Sequence, residues 1–122
     1  MTKKKILVVE DEESLLKLQS ILLTIRGYIV EGVMDGQAEL EAVVTMNPDL
    51  IMLDIMLPKI DGFEVCRQIK ANEATRHIPV VMLTAKKSKA DLVMGEQVGA
   101  DLYITKPYKS SMVIENIQRL LS

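Results

Sequence analysis

Cysteine and histidine are almost missing from this chain. Cys66 and His77 are the only ones, and there is no tryptophan. A lone thiol excludes a disulfide framework and a thiolate metal cage, and it fits a reducing, cytoplasmic setting. His77 precedes Ile78-Pro79 with no acidic or serine partner in a motif, so it carries no catalytic signal. The aromatic residues are Tyr28, Phe63, Tyr103 and Tyr108, which leaves an aliphatic core with eight methionines as fillers. Positive charge is not in excess. A net charge of -2 argues against the basic face that direct nucleic-acid binding needs. Lys3-Lys4-Lys5 reads as a solvated start rather than a binding arm. No apolar run approaches the roughly 18 residues of a membrane span, and the first residues lack the apolar segment of a secretory signal. Without an internal repeat or a low-complexity linker, the 122 residues are expected to form one domain over residues 1–122.

What is present is alternation. Four short, unbroken apolar runs, Ile6–Val9, Leu50–Leu53, Val80–Leu83 and Leu102–Ile104, predict strands covered on both faces. Tyr28–Val33 is a weaker fifth candidate, with Glu31 suited to an edge. Helical spacing fills the gaps. Leu15, Leu18, Leu22 and Ile25 predict a first helix that Gly27 stops. Leu40, Val43 and Val44 mark a second, opened by Asp35-Gly36 and closed before Pro48. Val65, Cys66 and Ile69 mark a third after the turn pair Asp61-Gly62. Leu92, Val93 and Val98 mark a fourth, and Val113, Ile117, Leu120 and Leu121 a fifth. Strand and helix alternating five times imply an α/β fold, a doubly wound parallel sheet with right-handed crossovers and helices on both faces. Ligands of such sheets sit beyond the carboxyl ends of the strands, where the strand order reverses.

The residues at those ends form an unusual set. The stretch "ILVVEDEES" runs a buried strand straight into Glu10 and Asp11. The third strand ends in Asp54, the fourth in Thr84-Ala85, the fifth in Thr105-Lys106-Pro107. Helix capping accounts for Glu12 and Glu13. It does not account for Asp54, because Ile55-Met56-Leu57-Pro58 is no helix start, nor for Lys106 ahead of a helix's positive end. Carboxylates a few ångströms apart repel by about 1–4 kcal/mol per pair at partly exposed sites. A divalent cation removes that penalty, and oxygen ligands without histidine or cysteine select a hard ion, Mg²⁺ or Mn²⁺. Three carboxylates are then balanced by the metal and Lys106, and a carboxylate so placed can attack a phosphoryl group.

The pieces "VVEDE", "PDLIMLDIMLPKIDGFE", "IPVVMLTA" and "GADLYITKPY" stand in the order and spacing of one family. Over essentially its whole length the chain resembles the receiver domain of two-component response regulators. The resemblance implies the flavodoxin-like strand order 2-1-3-4-5 and a phosphorylation-activated switch in a phosphorelay. Asp54 would be the phosphoacceptor. Glu10, Asp11, Asp54 and the backbone carbonyl of Met56 would hold Mg²⁺. Thr84 and Lys106 would contact the phosphoryl group, with the small Ala85 leaving it room. Tyr103 would follow Thr84 inward as the switch aromatic, and the Lys106–Pro107 bond would be cis. The phosphodonor would be a sensor histidine kinase or a histidine phosphotransfer protein. The domain's own chemistry would be limited to autocatalytic transfer and slow self-hydrolysis.

Two departures accompany the resemblance. Tyr108 stands where the family often has Phe. On the face made by the fourth helix, fifth strand and fifth helix, charged positions that pair across symmetric dimers of winged-helix regulators read Leu92, Met94, Gln97, Leu102 and Asn116, and only Asp101 keeps its charge. A charge-paired dimer is therefore not expected. The unphosphorylated domain is expected to be a monomer, with an output partner at that face. A phosphate-independent interaction module is the alternative, and retention of the acidic pair, Asp54 and Lys106 argues against it. A dehalogenase-like phosphatase would need an aspartate where Met56 stands, and a flavoprotein would need a glycine- and hydroxyl-rich loop after the first strand.

Overall fold

The apolar runs do pair side by side. In the computed structural model, which describes residues 3–122, they are β1 (Lys5–Val9), β2 (Ile29–Val33), β3 (Leu50–Leu53), β4 (Val80–Thr84) and β5 (Leu102–Thr105). All four pairings are parallel, and the order is β2-β1-β3-β4-β5. This is the flavodoxin-like arrangement. The connecting helices are α1 (Glu13–Ile25), α2 (Gly36–Met46), α3 (Gly62–Ala71), α4 (Lys89–Gln97) and α5 (Ser110–Leu121).

Alternate residues of one strand serve two cores. Leu7 and Val9 of β1 join Ile51, Leu53 and Met82 against α2 and α3. Ile6 and Val8 join Leu50, Met52, Val81 and Leu83 against α1 and α5. Burial on both faces is why these runs show no polar alternation. The exceptions are the two edges: β2, half-exposed and paired only with β1, and β5, partly exposed and paired only with β4.

Local chemistry sets the helix starts. Asp35 accepts from the Ala38 N–H at 2.7 Å and Asp61 from the Glu64 N–H at 3.1 Å, while Ser88 and Asp91 cap α4 reciprocally. The helices lie where the sequence predicts them, but three are rotated from the faces their apolar residues suggest. On α1 the buried residues are Gln19 and Leu23, and Leu18 and Ile25 face outward. On α2 they are Gly36, Glu39, Ala42 and Val43, while Val44 is 79% exposed. A mixed helix with more apolar residues than one face holds leaves its orientation to tertiary fit; here Gly36 admits the Ile60 carbonyl and Val65 of α3 where a side chain would begin, and Ala42 and Val43 join the core. On α4, Leu92, Val93 and Met94 are all exposed, at 43%, 46% and 43%, and Gly95 is the only buried residue.

Candidate functional site

The site follows from the register. β1 and β3 are neighbours with Val9 opposite Leu53, so Glu10 and Asp54 emerge side by side where the chain reverses its direction of sheet building. The Asp54 N–H donates to Val9 O at 3.1 Å, and the Glu10 N–H to Val33 O at 3.1 Å, which fixes both backbones. Glu10, Asp11 and Asp54 each bring a carboxylate oxygen within 4.8 Å of the other two; Asp11 is exposed and the others are buried. From the far side, Thr84 pairs with Thr105, and the Lys106 N–H donates to Thr84 O at 2.8 Å. Lys106 Nζ then reaches Asp54 Oδ2 at 3.1 Å and Glu10 Oε1 at 3.3 Å. The Lys106–Pro107 peptide is cis, as the resemblance implies.

Charge accounts for the titration behaviour. Burial, reinforced by the Asp54 carboxylate, raises the pKa of Glu10 against the opposing pull of the Glu12 N–H and Lys106. Burial works against the Lys106 ammonium, but Asp54 and Glu10 outweigh it and hold its pKa above the ordinary value. Three carboxylates facing one ammonium leave the cluster negative by two formal charges, which suits a divalent cation held by oxygen alone.

The loop after Asp54 completes the pocket. Met56 N–H donates to Asp54 Oδ1 at 3.1 Å, and its side chain is exposed. The Gly62 N–H donates to Ile55 O at 2.8 Å. A Cβ on Gly62 would lie 2.5 Å from Asp54 O, so the loop closes this tightly only over glycine.

Thr84 is fully buried, and Ala85 beside it is exposed. Thr84 Oγ1 accepts from the Lys86 N–H at 3.2 Å. Tyr103 is half-buried against the α2–α3 core, and its hydroxyl donates to Lys86 O at 2.7 Å. The two residues are thus joined through the backbone of Lys86, a link that residue types alone did not indicate; the only signal is its place two residues after Thr84. His77 is exposed in the turn before β4, at the amino end of that strand, whereas the site lies at the carboxyl ends of the parallel sheet. Asp101 accepts from Lys70 Nζ at 2.9 Å and from the Val80 N–H at 2.8 Å, so the one charge retained on the α4–β5–α5 face is engaged within the chain.

The family profile of the response regulator receiver domain matches residues 6–118. The chain is 45% identical over 118 residues to the alkaline phosphatase synthesis transcriptional regulatory protein PhoP of Bacillus subtilis, covering 97% of this chain and 48% of that protein. It is 42% identical over 117 residues to the DNA-binding dual master transcriptional regulator RpaA of Synechocystis, covering 96% and 48%. It therefore spans about half the length of these curated relatives. Among solved structures, the chemotaxis response regulator CheY4 of Vibrio cholerae superposes with a TM-score of 0.91 at 30% identity, covering 98% of this chain and all of that one.

Proposed function

Because the chain belongs to the response regulator receiver family, a family of phosphorylation-activated switches, we propose that residues 1–122 act as one receiver domain with Asp54 as its phosphoacceptor. The observation that carries this is the convergence of Glu10, Asp11, Asp54 and Lys106 at the reversal point of the sheet. An Asp54 carboxylate oxygen attacks the phosphorus of a phosphohistidine on a sensor kinase or phosphotransfer protein. The P–N bond breaks, the imidazole leaves with a proton, and an acyl phosphate forms. Lys106 stays within reach of the transferred oxygens, and Thr84 turns its hydroxyl toward them. Later, water attacks the phosphorus, the P–O bond to Asp54 breaks, and inorganic phosphate leaves with the carboxylate restored. Glu10, Asp11, Asp54 and the Met56 carbonyl would hold Mg²⁺, whose charge screens the phosphoryl oxygens. A reducing cytoplasm suits the free, buried Cys66, and among the described residues no helix is long and apolar enough to cross a membrane. Incubation with acetyl phosphate and Mg²⁺, followed by peptide mapping, tests the reading: a single base-labile phosphoryl group is expected on Asp54, and its appearance on Thr84 or His77 refutes the assignment.

Metal binding has its own signature. A ligand present at 100 times its Kd stabilises the folded state by about 2.7 kcal/mol, or on the order of 10 °C in Tm for a domain this size. Titrating Mg²⁺ is expected to raise the Tm of the wild type and to have little effect on Asp11→Ala. Equal shifts in both proteins would rule out a shared site.

The output face is apolar rather than charged. With Leu92, Val93 and Met94 exposed and Asp101 engaged internally, the geometry favours a heterologous partner over a charge-paired dimer. The isolated domain is expected to sediment as a monomer with and without beryllofluoride, a phosphoryl mimic. A tight, salt-sensitive dimer on activation would overturn this.

A further inference from the structure

Gly95 stands in the interior of α4, where glycine is the poorest helix former after proline, and it is that helix's only buried residue. Its backbone does not explain it. The glycines with positive φ are Gly27 and Gly99, so Gly95 adopts a conformation open to any residue. Space does explain it. A Cβ built there would lie 2.5 Å from Tyr103 Cδ2 and 2.8 Å from Cε2, with Met82 Sδ at an ordinary 3.7 Å. The ring of Tyr103 occupies the place where a side chain would begin. At its far end the same ring is tied to Lys86 O at 2.7 Å, and the Lys86 N–H is tied to Thr84 Oγ1 at 3.2 Å.

We propose that Gly95 is a positioning residue of the switch: its missing Cβ opens the slot in α4 that seats the Tyr103 ring, so that the state of Thr84 beside Asp54 is passed to the exposed face carrying Leu92, Val93 and Met94. The inference rests on the reading that Thr84 responds to a phosphoryl group on Asp54. Adding a methyl group at Gly95 forces something to move, and the ring is the part free to do so. Both ends of α4 are hydrogen-bonded and β5 is held in the sheet, whereas Tyr103 can rotate about χ1. Once it swings out, its hydroxyl leaves Lys86 O, and Thr84 loses its connection to α4. Asp54, Glu10 and Lys106 are untouched.

The test combines chemistry, a spectroscopic signal and a sign. With Tyr28, Tyr103 and Tyr108 the only tyrosines, fluorotyrosine labelling assigns the Tyr103 resonance readily. Gly95→Ala is expected to accept phosphoryl on Asp54 at the wild-type rate, to shift the Tyr103 resonance toward that of an exposed ring, and to lose the beryllofluoride response of the α4 amides. Stability should change sign with context. In a Tyr103→Ala background the slot is empty, and Gly95→Ala should raise Tm as helix propensity dictates; with the ring present it should not. Normal phosphorylation with an unaltered α4 response in Gly95→Ala, or an equal rise in Tm in both backgrounds, overturns the role of Gly95. A wild-type chain that takes no phosphoryl group on Asp54 overturns the underlying reading, and the inference falls with it.

Discussion

Replacing Asp54 with asparagine is expected to eliminate phosphoryl incorporation while leaving the fold intact. The amide keeps the size of the carboxylate, and its oxygen can still accept the Met56 N–H that now donates to Oδ1 at 3.1 Å. What it loses is the nucleophilic charge. No other residue replaces it. Glu10 and Asp11 arise from a different strand end, Thr84 Oγ1 is occupied by the Lys86 N–H, and His77 is exposed before β4. The variant also relieves repulsion. After burial, the Asp54 charge is what raises the Glu10 pKa, and a carboxylate pair at this separation repels by about 1–4 kcal/mol. The loss of the 3.1 Å contact with Lys106 works in the opposite direction, so without metal the two effects offset and the variant should be about as stable as the wild type. With Mg²⁺ the wild type should become the more stable of the two, because it alone gains the full stabilisation. Peptide mapping after acetyl phosphate treatment measures the first effect, and thermal melts with and without Mg²⁺ the second. Label retained in Asp54→Asn would place the acceptor elsewhere.

The site was legible in the sequence for a physical reason. In a parallel sheet the strand ends collect at one edge, so Glu10-Asp11, Asp54, Thr84 and Lys106 can be brought together on paper once the apolar runs are assigned. Residue type then limits the chemistry, since three carboxylates and an ammonium leave few options. The fold was readable because the central strands are apolar on both faces. What could not be read was orientation. Leu18, Ile25 and Val44 look like core positions and lie outside, since periodicity shows that a helix has an apolar face without showing which of several stripes the sheet accepts. The link through the Lys86 backbone, the Tyr103–Gly95 contact and the internal pairing of Asp101 depend on three-dimensional approach, and no spacing rule encodes them. Glu39 is the clearest case, because a glutamate between Ala38 and Leu40 reads as surface.

In the structure Glu39 is fully buried, at 0% exposure, and neither carboxylate oxygen has a hydrogen-bond partner. It lies on the inner face of α2, and its charge contributes to raising the Cys66 thiol, which burial chiefly pushes up to about 12. Burial alone raises Glu39 from 4.5 to about 8, so near neutrality the folded chain keeps it protonated while an unfolded chain ionises it. Unfolding then releases a proton, and stability must fall as pH rises. The contribution is fully present below about 4.5, declines by about 1.4 kcal/mol per pH unit, and levels off above about 8. The total is a few kcal/mol, a large share of the 5–15 kcal/mol that stabilises a typical domain. Glu39→Met, of similar length and without a charge to desolvate, is expected to be more stable than the wild type by a few kcal/mol at the alkaline end, with the advantage shrinking as pH falls. Glu39→Gln should also lose the slope but gain less, because its amide is still buried without partners. Denaturant titrations of the three proteins across this range, without metal, isolate Glu39 from the acidic cluster they share. If the wild-type and Glu39→Met curves run parallel from acid to alkaline pH, Glu39 does not carry the buried proton.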